Sequence, residues 1–394
     1  MSVRFFSLKD KLKREKIKRQ FSSDSVFLLL VIALSIYGTI MVFSSGYPFA
    51  SVRYDDAFYF VKRQLIWLSL GLVIMFFATK ITPSMLKKIT PLLYILTLVL
   101  LVLTLLIGMV GNGAQRWISL GPITIQPSEI AKLTMVLMLA KFFSDTENIA
   151  IKNGRLHSLV YGTLIPFAIM LGPILLVMLQ HHLSCIIILG AIGVILIVLS
   201  GAELKYLGAL MSFGIAGVTY IALFTDYTKD RITVWLDPEK YKLTGGWQTL
   251  QGLMAIGSGG FFGKGLLQGE LKYCYVAEPA NDMIFAILCE ELGFVGAFGA
   301  MLLFAMLILR GYKIAIKQKS TFSRLVSLGI TTKIAVQTLL NIAVVTNTIP
   351  NTGISLPFFS YGGSSLLMLF FEMGIMLSIS RGEEYLLTKQ GGKV

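Results

Sequence analysis

An aspartate, Asp282, stands where a long polar stretch gives way to an apolar one: Pro279, Ala280, Asn281 and Asp282 lead into Met283, Ile284, Phe285 and Ala286. Pro279 sets the entry to a helix, Asn281 suits its N-cap, and Asp282 falls in the first turn, where a helix N-terminus favours negative charge. Two readings stand: a helix-start signal, since acids are enriched there, or a carboxylate held at the edge of an apolar layer for chemistry. Glu290 and Glu291 follow eight and nine residues later, roughly 12 to 14 Å along the axis and rotated away, so they are not its immediate partners.

Other polar residues in apolar surroundings join it. Glu129 and Lys132 follow Gln126, Pro127 and Ser128; three apart, they share a helix face in the favourable order for an ion pair. Ionisable groups at the edge of hydrocarbon are costly and mark cavities more often than ornament. Arg63, beside Trp67 at the start of an apolar run, is an interfacial anchor or an anion-binding group. His181 and His182 are adjacent and point apart on any regular element, which rejects a zinc site and leaves His182 and Ser184 as polar lining. The stretch 225–281 holds Arg231, Trp235 and a glycine-rich run from Gly257 to Gly265 around Lys264. That run lacks the ending and the strand-helix context of a P-loop; its glycines let backbone amides approach a phosphate or let the segment pack on the bundle. Ser360 and Ser364 belong to an uncharged, hydroxyl-rich stretch that suits a neutral ligand wall. Lys333, Gln337 and Asn341 form a polar stripe at helical spacing, read as interhelical hydrogen bonding, and Glu372 needs a buried partner, for which Lys333 is a candidate.

The elements that position these groups are membrane helices. The 394 residues are 55% hydrophobic and 14% charged, with a mean hydropathy of +0.75, too apolar for an ordinary soluble domain. Apolar runs near 26–44, 61–78, 92–110, 130–143, 159–178, 185–199, 206–224, 283–309, 325–348 and 364–380 predict an all-α polytopic membrane protein of about ten transmembrane helices. A long extracytoplasmic loop, 225–281, joins helices 7 and 8. The net charge of +14 is topology rather than nucleic-acid binding: with the N-terminus in the cytoplasm, most of the 35 Lys and Arg residues face inward, which predicts both termini inside. The domains read as a basic segment 1–24, a membrane domain 25–380 and a tail 381–394. Residues 1–44 read as a retained signal anchor. Cys185, Cys274 and Cys289 imply no disulfide framework or metal spacing. In this topology Glu129, Lys132, His182, Asp282, Ser360 and Ser364 all fall on the outer side.

Taken together, these motifs resemble the SEDS (shape, elongation, division and sporulation) family of bacterial peptidoglycan glycosyltransferases, the FtsW, RodA and SpoVE proteins. The resemblance is carried by Gly113 to Trp117, Gln126 to Lys132, Ala255 to Gly265, Glu278 to Gly293 and Pro357 to Ser365, and covers nearly the whole chain. It implies an outward cavity and polymerisation of lipid II into β-1,4 glycan strands beside a class B penicillin-binding protein and other division or sporulation membrane proteins. The family's essential aspartate corresponds to Asp282 and its Glu and Lys pair to Glu129 and Lys132. Pro279, Ala280, Asn281 and Met283 depart from the common pattern around that aspartate. His182, Leu183 and Ser184 resemble the FtsW and SpoVE style, which points to division or sporulation.

The implied reaction is inverting, with Asp282 as the base for an acceptor hydroxyl and positive charge on the departing pyrophosphate. Lys132, Arg63, Arg231 and a divalent cation (Mg2+ or Mn2+) are candidate pyrophosphate partners, with Lys264 a further substrate-binding candidate; no organic cofactor is implied. The rival from another class is a flippase for lipid-linked precursors, whose transport path the same ion pair and polar stripe would line. A third is a noncatalytic scaffold.

Overall fold

The computed structural model describes residues 23–111, 114–121, 123–150, 159–203, 205–209, 212, 226–273, 276 and 279–382. Its helices answer the apolar runs: α1 (Ser25–Tyr54), α2 (Tyr59–Ala78), α3 (Pro83–Ile107), α4 (Pro127–Ala150), α5 (Val160–Leu179) and α6 (Leu183–Leu199). After two further helices, α7 (Asp226–Leu236) and α8 (Gly246–Gly259), come α9 (Ile284–Ile316), α10 (Thr321–Val345) and α11 (Gly363–Ser380). Seven of these are long and apolar enough to cross a membrane. The span expected near 206–224 lies mostly outside the described residues.

Capping fixes where helices start. Asp24 accepts from the Phe27 amide at 2.9 Å to open α1, and Thr82 with Pro83 at the first position opens α3, both satisfying amides a helix leaves bare. The bundle is apolar outside and charged inside. Leu29, Ile36, Phe76, Leu92 and Leu106 are exposed, whereas Glu129, Lys132, Lys333 and Glu372 are buried, the inverse of a soluble protein and the arrangement lipid demands. Helices α4 and α10 carry most of those charges and run through the middle, so their polar faces meet protein on all sides.

One end of the bundle is tied by Asp24 to Arg310 at 2.8 Å, by the Asp24 amide to Ser380 and by Arg381 to the Thr79 carbonyl. The first and last described residues, 23 and 382, therefore lie there. The turns carrying Ser128, His182, Asp282 and Ser360 gather at the opposite end, tied by contacts such as Ser128 with His182 and Ser360 with Asn281.

Two features depart from the all-helical reading. Residues between α3 and α4 form a small antiparallel sheet of β1 (Met109–Gly111), β2 (Ala114–Leu120) and β3 (Ile123–Ile125), in that order. Between the pairs Met109 with Trp117 and Val110 with Gln115 the register slips. Arg116 is thereby the extra residue of a bulge, a device that re-aims a side chain.

The second departure lies in 225–281, which is not an irregular loop. It contains α7 and α8, and α8 packs along α9 down to a break in that helix at Gly293 (φ 63°, ψ −162°), roughly 14 Å beyond its start. There each broken strand satisfies the other. Lys264 and Gly265 amides donate to the Glu290 and Glu291 carbonyls, and Phe294 and Val295 amides donate to the Gly260 and Phe261 carbonyls, all at 2.9–3.1 Å. Glycines permit the approach: a Cβ on Gly259 would stand 1.9 Å from the Cys289 carbonyl oxygen. Of the two roles open to the glycine-rich run, packing against the bundle is the one its contacts serve. Non-helical backbone at this depth is tolerable because its polar groups are paired inside protein.

Candidate active site

Asp282 does not sit in the first turn of α9, and Asn281 is not its N-cap. The helix starts at Ile284 with Met283 in the cap position and no side-chain cap. Residues 279–283 form a separate turn, because its carbonyls are taken by other elements. The Tyr361 amide donates to the Ala280 carbonyl at 2.9 Å, Ser360 Oγ to the Asn281 carbonyl at 2.8 Å, and Asn341 Nδ2 to the Asp282 carbonyl at 3.0 Å. Three successive carbonyls are thus held from α10 and from the segment before α11, which fixes the backbone from which the Asp282 carboxylate projects.

That carboxylate lines a cavity of about 730 Å³ together with Arg116, Arg231, Gln248 and the 351–353 backbone, a volume in the range of ligand sites. Arg116 arrives on the bulge of β2 and donates from Nη2 to the His181 carbonyl at 2.7 Å. Its Nε is buried with no hydrogen-bond partner among the described residues. Arg231, from α7, donates to the Asn351 carbonyl at 2.5 Å, and Trp235 one turn on donates to the Asn347 carbonyl at 2.9 Å. Ser184 donates to the Thr352 carbonyl. Gly353 has φ of +68° and lies against the Asp282 side chain. One carboxylate and two guanidinium groups around one cavity can accept a proton on one side and neutralise phosphate charge on another.

Beside this cavity lies a buried polar layer. Lys132 Nζ donates to Glu129 Oε1 at 2.6 Å, and Lys333 Nζ donates to both oxygens of Glu372 at 2.7 and 2.8 Å, the pairing expected from the sequence. Glu129 and Lys333 share a small cleft, about 20 Å³, with Gln337, Ser355, Ser360 and Ser365; that is room for roughly one water. Glu129 and Asp282 therefore face different cavities, and Glu129 is engaged by Lys132 rather than crowding Asp282. Ser360 joins the two regions, lining the cleft while holding the Asn281 carbonyl.

The remaining sequence candidates are placed as follows. His182 is buried, with Nδ1 3.4 Å from Ser128 Oγ; burial first, then the Arg116 and Lys132 charges, push its imidazole down to about 3. It is a neutral packing group behind the cavity wall. Arg63 is exposed, stacks over the Tyr59 ring at 4.5 Å and lies near the Tyr361 side chain, so it reaches the Asp282 turn only through Tyr361. Lys264 is engaged elsewhere, with Glu290 at 3.2 Å and Glu270 at 3.4 Å. Ser364 Oγ is buried without a hydrogen-bond partner among the described residues. No group of three or more His, Cys, Asp or Glu converges on a metal position among the described residues.

Two residues of the site were not singled out for it. Arg116 lies within the Gly113 to Trp117 motif, but only the bulge brings it to the cavity that Asp282 lines. Asn341 was visible in the polar stripe of α10, yet spacing alone could not say that its amide reaches a backbone carbonyl 59 residues away in sequence.

Comparison with known proteins places the fold in a family. Residues 24–385 match the family model described as "Cell cycle protein" for FtsW, RodA and SpoVE. Stage V sporulation protein E of Bacillus subtilis is 38% identical over 369 residues, covering 93% of this chain and 99% of that protein. A probable peptidoglycan glycosyltransferase FtsW of Trichlorobacter lovleyi is 36% identical over 91% of this chain and 93% of its own. Peptidoglycan glycosyltransferase MrdB of Escherichia coli is 35% identical over 90% and 93%. Among solved structures, a chain of a peptidoglycan synthase complex described as coordinating polymerization and crosslinking superposes with a TM-score of 0.76 at 26% identity, covering 92% of this chain and 98% of that one. The rod shape determining protein RodA of Thermus thermophilus gives 0.69 at 25% identity, over 93% and 99%. The chain belongs to the FtsW/RodA/SpoVE family, the SEDS membrane proteins whose resemblance its motifs carry.

Proposed function

We propose that this chain, a peptidoglycan glycosyltransferase like the relatives named above, polymerises lipid II into β-1,4 glycan strands at the outer face of the bacterial cytoplasmic membrane during division or sporulation. Both termini are cytoplasmic in this reading. The observation that carries it is the placement of the Asp282 carboxylate with Arg116 and Arg231 around one cavity of about 730 Å³, at the end of the bundle away from Asp24 and Arg381.

In a single displacement the acceptor sugar hydroxyl attacks the donor's anomeric carbon with inversion. Asp282 takes the hydroxyl proton. The bond to the lipid pyrophosphate breaks, its electron pair leaves with the pyrophosphate, and Arg116 and Arg231 stabilise the charge that develops there. Their fixed donors suit phosphate oxygens better than a flexible ammonium would. A divalent cation, if the reaction uses one, would be held on the protein side by Asp282, the one carboxylate among the described lining residues, and would supply further neutralisation of the pyrophosphate charge. The lipid tail lies along the apolar bundle, and a class B penicillin-binding protein supplies the crosslinking partner.

A flippase would need a path through the bundle. At the level of Glu129 and Lys333 the cleft holds about 20 Å³, so the buried ion pairs favour a sealed floor beneath a reaction cavity. The test is polymerisation of labelled lipid II by the purified protein with its penicillin-binding partner. Wild type yields glycan ladders and Asp282→Asn yields none while still folding and binding the partner. Full-length glycan from Asp282→Asn removes the proposed base.

A further inference from the structure

Asn341 is fully buried in α10, and both hydrogens of its amide are spent on backbone carbonyls that belong to two different loops. One goes to the Asp282 carbonyl at 3.0 Å, the other to the Ile354 carbonyl at 2.6 Å. Ile354 adjoins Gly353, the residue packed against the Asp282 carboxylate. A single side chain therefore sets the separation between the turn that bears the carboxylate and the turn that backs it. Its own Oδ1 has no partner among the described residues. A buried amide that leaves its acceptor idle while aiming both donors is costly to the fold, and helix association alone does not require it.

We propose that Asn341 is a positioning residue for Asp282: it cross-braces the 279–283 turn to the 351–354 turn and so fixes the carboxylate at the distance the acceptor hydroxyl needs. This rests on Asp282 being the base. Base catalysis depends steeply on that distance, and displacement by about 1 Å can cost on the order of a hundredfold in rate. Because Asn341 acts through the backbone and does not line the large cavity, losing it lowers turnover without weakening donor binding. Gln337, one turn earlier on α10, supplies the comparison: it donates to the Ser355 carbonyl at 3.0 Å, bracing the same loop without touching the Asp282 turn.

The experiment measures kcat and KM for lipid II with the partner-bound enzyme, comparing Asn341→Leu, Asn341→Asp, Gln337→Ala and Asp282→Asn with wild type. Asn341→Leu keeps the branched four-atom skeleton and removes both donors. The expected result is a kcat lowered by about tenfold to a hundredfold with KM within about threefold, and a markedly smaller kcat loss for Gln337→Ala. If Asn341→Leu does not fold, Asn341→Asp, closer in shape, is judged by the same criteria. Turnover within about threefold of wild type, a rise in KM at constant kcat, or a loss matched by Gln337→Ala overturns the proposal. Continued synthesis by Asp282→Asn instead overturns the base assignment on which it stands, whereas inactive Asp282→Asn with unimpaired Asn341 variants removes the positioning role alone.

Discussion

Gly353 stands so close to Asp282 that a Cβ built on it would lie 3.0 Å from Asp282 Oδ2. The 351–354 turn is the wall against which the carboxylate rests, and its backbone, with φ of +68°, is in the left-handed region that glycine adopts freely. Gly353→Ala strains that backbone by about 1 kcal/mol and pushes the carboxylate off its position. The expected outcome is a loss of polymerisation of roughly tenfold or more in protein that still binds its partner. Gly190→Ala, at a helical glycine with nothing within 4 Å of the added carbon, is the matched control and retains activity in the same assay.

The break in α9 makes a stability prediction. Gly293 has φ 63° and ψ −162°, a combination open to glycine almost alone, and an added Cβ would stand 2.3 Å from the Gly263 amide nitrogen. Gly293→Ala forces the glycine-rich run off the helix and strands four amide-carbonyl bonds. A cost of about 3 kcal/mol or more follows, read as a lowered thermal midpoint in detergent or as failure to accumulate in the membrane.

Lys272 and Glu291 form an ion pair at 2.5 Å with both side chains fully buried, and Ser44 bonds both of them. Removing one charge leaves the other without compensation. Lys272→Met is expected to cost about 3–5 kcal/mol. Adding Glu291→Gln to it recovers much of that loss, because the amide keeps an acceptor for Ser44 and the Leu267 amide without the buried charge. A double-mutant cycle on thermal unfolding checks the sign.

His182 makes the protein acid-sensitive. Its imidazole titrates near 6.5 when exposed and is pushed down to about 3 in the fold by burial and by Arg116. Below 6.5 the unfolded chain binds a proton that the folded chain refuses, so this contribution is intact above 6.5 and is lost as pH falls toward 3, by at most about 1.4 kcal/mol per pH unit. Unfolding midpoints between pH 7.5 and 5 should fall more steeply for wild type than for His182→Gln. Equal slopes contradict the assignment.

Apolar run length made nine of the ten expected helices legible, seven of them long and apolar enough to cross a membrane, since a bilayer sets the length and the chain has to meet it. The Glu129 with Lys132 and Lys333 with Glu372 pairs were legible for a related reason: charge in hydrocarbon must find charge. The dip of α8 to Gly293 was not, because Ala255 to Gly265 carries no long apolar run and its depth comes from backbone pairing with α9. The sheet of 109–125 is too short for alternation to declare it, and the aim of Arg116 depends on one slipped residue in its register. The sequence puts Asp282 in the first turn of a helix, yet the carbonyls taken by Tyr361, Ser360 and Asn341 keep its turn out of that helix. Long-range capture of backbone groups leaves no local signature.

In the proposed reaction the group at position 282 opens to the outside of the cell, where a lipid-borne sugar can reach it. The direct measurement is labelling of Asp282→Cys, with Cys185, Cys274 and Cys289 replaced by serine, by a membrane-impermeant thiol reagent on intact spheroplasts. Labelling from outside, slowed by added lipid II, is the expected result. Labelling that appears only after the membrane is permeabilised would contradict it.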